Sequence, residues 1–154
     1  MAEEELKVRK IKNGTVIDHI TAGNALAVLR ILGLSGREGN VLSVLVNVPS
    51  RTLQRKDIVK IEGRELSPRE VDEIALIAPH ATINIVRDYE VAKKDKVQLP
   101  RTVKEILRCP NPGCITNTRE PVKPTFYVEG QDPASLRCHY CGYMLEMEEV
   151  IRQF

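Results

Sequence analysis

The sequence predicts an α+β fold in two parts: an antiparallel sheet with two helices, followed by a small all-β unit. Three observations lead to this prediction. Five β-rich segments and two segments with helical apolar spacing alternate over the first part of the chain. A proline break follows at QLPR. All four cysteines lie beyond that break, in two close pairs. We therefore expect one domain over residues 1–100 and a second over residues 101–154.

The strands of the first domain are predicted from runs of β-branched and apolar residues bounded by turn signals. They cover residues 15–20, 40–48, 56–63, 81–86 and 89–97. With the helices included, the order is strand, helix, strand, strand, helix, strand, strand. A β-α-β-β-α-β core with one added strand is typical of a ferredoxin-like sandwich, in which both helices cover one face of the sheet.

Both predicted helices have recognisable start signals. The first covers residues 21–36, with Thr21 as its N-cap and glycines at its end. The second covers residues 65–79, where Ser67 is the N-cap, a proline follows it, and Glu70 completes a capping box. These signals set the helix starts by local chemistry alone.

The second domain is predicted to be short and built from strands. Residues 98–108 begin with a proline break and then place Val103, Ile106 and Leu107 at helical spacing, so we expect a hinge here. Further strands are expected at PTFYVEG and within GYMLEMEEVIRQF, the last residues of the chain. Such a domain is too small to bury a large core of its own.

The cysteines form a C-x4-C pair, Cys109 and Cys114, and a C-x2-C pair, Cys138 and Cys141, separated by 23 residues. Two close pairs far apart in sequence can converge on one tetrahedral metal ion. Zinc is the metal that this set favours, as one structural ion per chain, because four thiolates leave no position for water or substrate. An iron site of the rubredoxin kind uses the same ligands and stays open as an alternative. Because zinc binding can supply ~10–16 kcal/mol of folding energy, this domain should melt first without metal.

Charge and composition exclude several classes of protein. The formal net charge is +2, and the last third of the chain carries equal numbers of basic and acidic residues, so neither domain has the strongly basic face of a general nucleic-acid binder. No apolar run approaches the ~20 residues of a membrane helix. The start, MAEEELKVRK, lacks the apolar region of a signal peptide. We expect a cytoplasmic protein, in which the cysteines would not pair as disulfides.

The first domain shows no familiar catalytic motif: neither a P-loop, a GxGxxG fingerprint nor a nucleophile elbow is present. Asp18 and His19 are adjacent in a predicted strand, so we expect their side chains on opposite faces of the sheet. That placement weakens them as an acid–base pair.

Lysines suggest a binding site instead. Lys56 and Lys60 lie four residues apart on one predicted strand and therefore share a face. Other polar or exposed positions follow on the last two strands: Asn84, Tyr89, Val91 and Lys94. Converging lysines could hold phosphates, and backbone groups at strand ends could bind the edge of a base. An ordinary solvated sheet edge remains the alternative explanation of this pattern.

Several stretches, taken together, resemble the regulatory chain of aspartate carbamoyltransferase. They are GTVIDHI, NVPS, RKDIVKIE, LIAPHAT, DYEV, CPNPGCI and CHYC, in this order along nearly the whole chain. The resemblance implies a non-catalytic subunit of pyrimidine biosynthesis. It implies an N-terminal allosteric domain that binds nucleotides and pairs into homodimers, and a C-terminal zinc domain that docks on the catalytic chain. In the family's assembly, regulatory dimers hold two catalytic trimers; CTP inhibits, ATP activates, and UTP reinforces CTP in some members.

The resemblance also implies a nucleotide site. Its residues, carried over by position, are Val8, Ile11, Asp18, His19, Lys56, Lys60, Asn84, Val86, Tyr89, Val91 and Lys94. Lys56 and Lys94 match lysines that hold phosphates, Lys60 matches one near the base and ribose, and the Asp18–His19 pair matches groups near the ribose and phosphates.

Two further positions, Ile11 and Tyr89, match residues that offer backbone groups to the base. The chain departs from the family pattern at Arg9, where the family has an acidic residue, so base selectivity is not carried over. Asn111 matches a position that contacts the catalytic chain, whereas Gly113 and Gly142 replace polar residues.

Two other classes of protein share the cysteine pattern. A zinc-ribbon nucleic-acid-binding protein would also have it, but would carry a basic face that this chain lacks. A redox or electron-transfer protein would hold iron on the same thiolates and would be coloured.

Overall fold

A computed structural model of the chain describes residues 10–154. Its first part contains five strands and two helices in the order that the sequence predicts. They are β1 (Gly14–Thr21), α1 (Ala25–Ile31), β2 (Leu42–Ser50), β3 (Gln54–Glu62), α2 (Pro68–Ile77), β4 (Thr82–Arg87) and β5 (Glu90–Lys96).

The five strands form one antiparallel sheet in the order β2-β3-β1-β4-β5. Inward side chains of the sheet, such as Ile17, Val59 and Ile83, join Val28 of α1 and Ile74 of α2 in one hydrophobic cluster. Side chains that alternate with them lie on the opposite face, which we call the open face. The predicted α+β class is confirmed.

Helix α1 starts later than the sequence predicts. Thr21 is the last residue of β1 and does not cap the helix, which begins at Ala25. Asn24 occupies the N-cap position, but its side chain makes no capping hydrogen bond. The N–H groups of Gly23 and Ala25 instead donate to Oδ2 of Asp57 in β3, at 2.9 and 3.0 Å. The capping group comes from a distant strand, so the local pattern could not reveal it.

Helix α2 starts as predicted. Ser67 is the N-cap, and its hydroxyl accepts a hydrogen bond from the Glu70 N–H at 3.2 Å. The Glu70 carboxylate accepts one from the Ser67 N–H at 2.9 Å. Both halves of the capping box are therefore present, and Pro68 occupies the first helical position.

The second part is built on a four-stranded antiparallel sheet of order β6-β7-β8-β9, which confirms the predicted small β unit. Its elements are β6 (Thr102–Lys104), β7 (Thr125–Gln131), β8 (Ala134–Cys138), β9 (Met144–Glu146) and α3 (Met147–Arg152). A single 3₁₀ turn covers Ile115–Asn117.

The helical spacing predicted around residues 103–107 does not correspond to a helix. Val103 lies in β6, directly opposite Phe126 of β7, and both side chains are buried. Leu107 is buried in the irregular segment that follows. Val103 and Leu107 reach the same core through strand pairing followed by a turn. The backbone of β6 pairs with β7 and so does not need the internal hydrogen bonds of a helix.

The end of the chain is partly helical where strands alone were predicted. β9 is short, and α3 begins immediately after it with a capping box between Glu146 and Glu149. Met147, Val150 and Ile151 pack against the core at helical spacing. The sequence pattern of this segment is thus better explained by a period of 3.6 than by alternation.

The two sheets share one hydrophobic cluster. Helix α3 packs against α2. Polar contacts reinforce this junction: Arg69 donates to the carbonyl of Glu105 at 2.9 Å, and His80 Nε2 lies 2.6 Å from Asp132 Oδ2. Among the helices of residues 10–154, none has the length and apolar character needed to cross a bilayer.

Replacing Ser67 by alanine should lower the free energy of unfolding by about 1 kcal/mol, because the N–H of Glu70 loses its acceptor. Chemical denaturation followed by circular dichroism measures the change. Ser67→Asp restores an acceptor and serves as the control, which should unfold close to the wild type. Equal losses in both variants would show that the loss does not come from the missing acceptor.

Candidate functional site

The four cysteines converge in space. Their sulfur atoms all lie within 4.8 Å of one another. Sγ of Cys109 is 3.5 Å from that of Cys141, and Sγ of Cys114 is 3.7 Å from that of Cys138. A tetrahedral zinc ion with Zn–S bonds of about 2.3 Å requires sulfur–sulfur edges of about 3.8 Å. The four sulfur atoms are therefore placed to bind one tetrahedral metal ion, as the sequence spacing predicts.

Backbone turns hold the two halves of this cluster. In the first half, the side-chain amide of Asn117 donates to the carbonyls of Cys109 and Asn111, at 2.8 and 2.7 Å. In the second half, the N–H of Gly142 donates to the carbonyl of Cys138 at 3.0 Å, with Gly142 at φ 77°. That dihedral strains residues with a side chain, so glycine suits the turn.

The thiols differ in their acidity. Burial raises the pKa of Cys109 and Cys138. Burial also acts to raise the pKa of Cys141, but hydrogen bonds from Asn111 and from the Tyr143 N–H outweigh it and lower that pKa to about 6. Metal binding requires all four as thiolates, so a cation must supply the energy that deprotonates the buried members. When bound, it would cross-link two loops of the second sheet.

The open face of the first sheet carries a row of facing residues. Lys60 of β3 pairs with Val16 of β1, Val16 pairs with Asn84 of β4, and Asn84 pairs with Lys94 of β5. Directly paired residues on one sheet face have Cβ atoms about 5 Å apart. Lys60, Asn84 and Lys94 therefore lie in one row across the sheet, with Val16 of β1 between Lys60 and Asn84.

A β-bulge in β1 places Asp18 and His19 together. The strand register shifts between Ile17 and Ile20, and His19 adopts a positive φ of 57°. Because the bulge adds one residue, Ile17 and Ile20 both face the core, and the two residues between them lie on the open side. The prediction that Asp18 and His19 point to opposite faces is therefore wrong.

Lys56 completes this second group on the open face. Its Nζ lies 2.9 Å from Asp18 Oδ1, and His19 Nδ1 lies 3.1 Å from the Thr82 hydroxyl. Partial burial acts to raise the pKa of Asp18, but the hydrogen bonds from Lys56 and from the His19 N–H outweigh it and lower that pKa. The pair therefore contributes stability above the ordinary carboxyl pKa and loses it as the pH falls through the lowered value.

The remaining predicted residues lie toward the β4–β5 turn. Ile11 and Val86 have buried side chains. Tyr89 and Val91 are largely exposed, at 60% and 58%. The N–H of Tyr89 donates to the carbonyl of Lys12 at 2.9 Å, which ties the turn to the segment before β1. Val8 and Arg9 lie outside the described residues.

Sequence reasoning missed two residues of this region, Thr82 and Asp57. Thr82 bonds to His19 only because β4 pairs with β1 at that point. Asp57 had a detectable signal, since alternation along KDIVKIE places it on the same side as the apolar Val59 and Ile61. An acidic residue at an inward position calls for buried hydrogen-bond donors.

Comparison with known proteins relates both parts of the chain to one family. A family model described as the aspartate carbamoyltransferase regulatory chain, allosteric domain, matches residues 6–98. A second, for the metal-binding domain of the same regulatory chain, matches residues 101–151.

Curated relatives that carry the name aspartate carbamoyltransferase regulatory chain are similar over almost their full lengths. The protein of Hyperthermus butylicus is 60% identical over 149 residues, which cover 96% of this chain and 93% of the relative. That of Korarchaeum cryptofilum is 57% identical over 152 residues, covering 98% and 97%. That of Methanothrix thermoacetophila is 61% identical over 145 residues, covering 94% of each.

Removal of the metal should unfold the second sheet before the first, because the metal supplements the small core of this part. We expect Cys138→Ser to lose bound metal and to become sensitive to trypsin within residues 101–154. Elemental analysis and limited proteolysis measure these two effects.

His139→Ala is the matched control, since His139 lies next to Cys138 but its Nδ1 bonds the Tyr127 hydroxyl at 2.6 Å. This variant should keep one metal ion per chain. Protease resistance in metal-free Cys138→Ser would contradict a structural role for the metal.

Proposed function

Because this chain belongs to the family of aspartate carbamoyltransferase regulatory chains, and so is a regulatory and not a catalytic subunit, we propose that it binds CTP and ATP on its open face. We propose further that residues 1–100 form the nucleotide-binding unit and residues 101–154 the unit that docks on the catalytic chain. In this role the subunit links catalytic trimers in the cytoplasm.

The observation that carries the nucleotide proposal is the row of Lys60, Asn84 and Lys94 beside the group of Asp18, His19 and Lys56. Successive outward residues of one strand are about 7 Å apart. The two groups therefore lie next to each other on one face, and their three lysines offer the positive charge that a triphosphate requires.

The full set assigned to this site keeps the division of roles that the family resemblance implies. It comprises Val8, Ile11, Asp18, His19, Lys56, Lys60, Asn84, Val86, Tyr89, Val91 and Lys94. In this assignment, Lys56 and Lys94 bind phosphate oxygens, and Lys60 binds near the base and ribose. The backbone of Ile11 and of Tyr89 faces the base. Ile11 has a buried side chain, and Tyr89 lies in the β4–β5 turn. UTP would use the same chemistry.

Regulation follows from linkage. A bound nucleotide changes activity only if it binds two states of the assembly with different affinities. This chain supplies that binding energy, and the catalytic chain performs the chemistry. The contact between α2 and α3 gives a continuous packed route from the first sheet to the second.

We assign zinc to the four cysteines. Four thiolates complete the tetrahedral shell of a zinc ion and leave no position for water or substrate, as in structural zinc sites. Of the two metal-bearing turns, the one between Cys109 and Cys114 presents Asn111 and its neighbours at the surface, and Asn111 Oδ1 accepts the N–H of Gly113 at 3.0 Å. We assign the docking contact with the catalytic chain to these turns. The metal would stabilise the contact surface without touching the partner.

A second copy of the chain would pair along β2. This strand is an edge of the sheet, and it carries or adjoins the exposed apolar side chains of Val41, Leu45 and Val46. An exposed apolar edge strand offers unpaired backbone groups that another strand can use. Homodimer formation along β2 would bury these apolar side chains and pair the backbone groups of the edge.

Lys94→Ala should weaken binding of CTP and ATP about tenfold or more, because a charge-assisted hydrogen bond to phosphate is lost. Isothermal calorimetry measures the change. Lys93→Ala is the matched control: Lys93 pairs with the inward residue Ile85 and forms an ion pair with Asp95 at 3.2 Å. Equal effects of the two substitutions would count against the assigned site.

The full chain with metal bound should retain the catalytic chain of aspartate carbamoyltransferase from the same organism in a pull-down. After chelation the retention should disappear, because the docking turns lose their cross-link, and added zinc should restore it. Failure to associate with metal present would refute the docking proposal. Visible absorption of the purified protein tests the metal, since an iron–thiolate site is coloured and a zinc site is not.

A further inference from the structure

Asp57 is a fully buried acidic residue that neither proposed site uses. It lies in β3 on the helix side of the sheet, beside Val59 and Ile61, which are also fully buried. A carboxyl group in such surroundings is costly unless its oxygens accept hydrogen bonds. The partners of those oxygens therefore define what Asp57 does.

Its two oxygens hold two different segments of backbone. Oδ2 accepts the N–H groups of Gly23 and Ala25, at the junction between β1 and α1. Oδ1 accepts the N–H of Asn47 in β2 at 2.8 Å. Asn47 has a φ of 59° and lies within the register shift between Leu45 and Val48.

The two segments flank β3 at the same level of the sheet. On one side, the bulge of β1 presents Asp18 and His19 on the open face, and Ile20, just after it, pairs directly with Asp57. On the other side, the bulge of β2 follows the exposed Leu45 and contains the exposed Val46. Each bulge breaks the regular strand pairing, and the amide of Asn47 finds its acceptor in Asp57.

Asp57 also adjoins the nucleotide-facing surface directly. The preceding residue, Lys56, forms the ion pair with Asp18 on the open face. A shift of β3 or of the β1 bulge would alter this pair and the Asp57 hydrogen bonds together, because successive residues of a strand move as one unit.

We propose that Asp57 is a positioning residue that couples the β2 edge to the group of Asp18, His19 and Lys56. Pairing of β2 with a second copy of the chain and binding of a nucleotide to the open face then influence each other. This inference rests on the proposed function. By linkage, the nucleotide must change dimer affinity by the same factor as dimerisation changes nucleotide affinity.

The test measures the dimer dissociation constant of the full, metal-bound chain by sedimentation, with and without saturating CTP. In the wild type, CTP should change this constant about fivefold or more. In Asp57→Asn the change should fall below about twofold, because an amide cannot accept on both sides and releases one segment.

Thr15→Val is the matched control. Thr15 is the other fully buried polar residue among those described, and its hydroxyl donates to the carbonyl of Arg64 at 2.6 Å, away from β2. This variant should keep the wild-type response to CTP. Loss of the response in both variants, or in neither, would overturn the inference. So would a wild type whose dimer affinity ignores bound CTP.

Hydrogen exchange in the wild type keeps the test independent of variant folding. Binding of CTP should alter exchange of the Asn47 amide, in β2, together with those of Gly23 and Ala25. The amide of Ala78, bonded to the carbonyl of Ile74 at 2.8 Å, is the internal reference and should not change. If Asn47 does not respond, the inference fails while the nucleotide site stands. If calorimetry shows no CTP binding, the proposed function fails and this inference fails with it.

Discussion

Burial of one face of the five-stranded sheet is the constraint on which the rest of the molecule depends. Two helices cover that face, so every inward position must be apolar or fully hydrogen-bonded. The period of two along each strand then sends the intervening residues to the open face. Lys60 lies on the open face because Val59 and Ile61 beside it are buried, and Lys94 lies there because it pairs with Asn84, which alternates with the buried Ile83 and Ile85. The chemistry of the open face is a consequence of how the other face packs.

Bulges are the exceptions to this alternation, and they occur where the sheet presents its polar groups. The extra residue in β1 turns His19 to the same side as Asp18 and keeps Ile20 in the core. A regular strand would have to bury one of these polar side chains or expose Ile20. The bulge in β2 similarly shifts the register of an edge strand. Both irregularities make side-chain contacts with β3: Asp57 accepts the N–H of Asn47 in the β2 bulge, and Lys56 donates to Asp18 in the β1 bulge.

The second sheet achieves stability by another route. Its core is small. A cluster of four cysteines joins loops that are also held by local hydrogen bonds such as that of Asn117 to the Cys109 carbonyl. The short helix at the chain's end returns to α2 and merges the two cores into one cluster. Because this junction is apolar and continuous, a change in the position of α2 reaches the metal-bearing part without a flexible connection between them.

The amino-acid sequence by itself determined the class of fold, the order of strands and helices in the first part of the chain, the capping box at Ser67 and the four cysteines. These features depend on periodicity, on capping chemistry three residues away, or on ligand spacing, all of which are local. Within each cysteine pair only four or two residues intervene, so a single turn brings both thiols of a pair to the same side. Because that geometry is local, the metal site could be predicted from the sequence.

Only the tertiary structure decided the rest, because the deciding partners are distant along the chain. The start of α1 depends on Asp57, and the placement of His19 depends on a bulge between two paired strands. The segment around Val103 is a strand because β7 pairs with it, whereas its spacing alone favoured helical turns. Local patterns specify which faces are apolar, but the partner that satisfies each backbone group is chosen by packing.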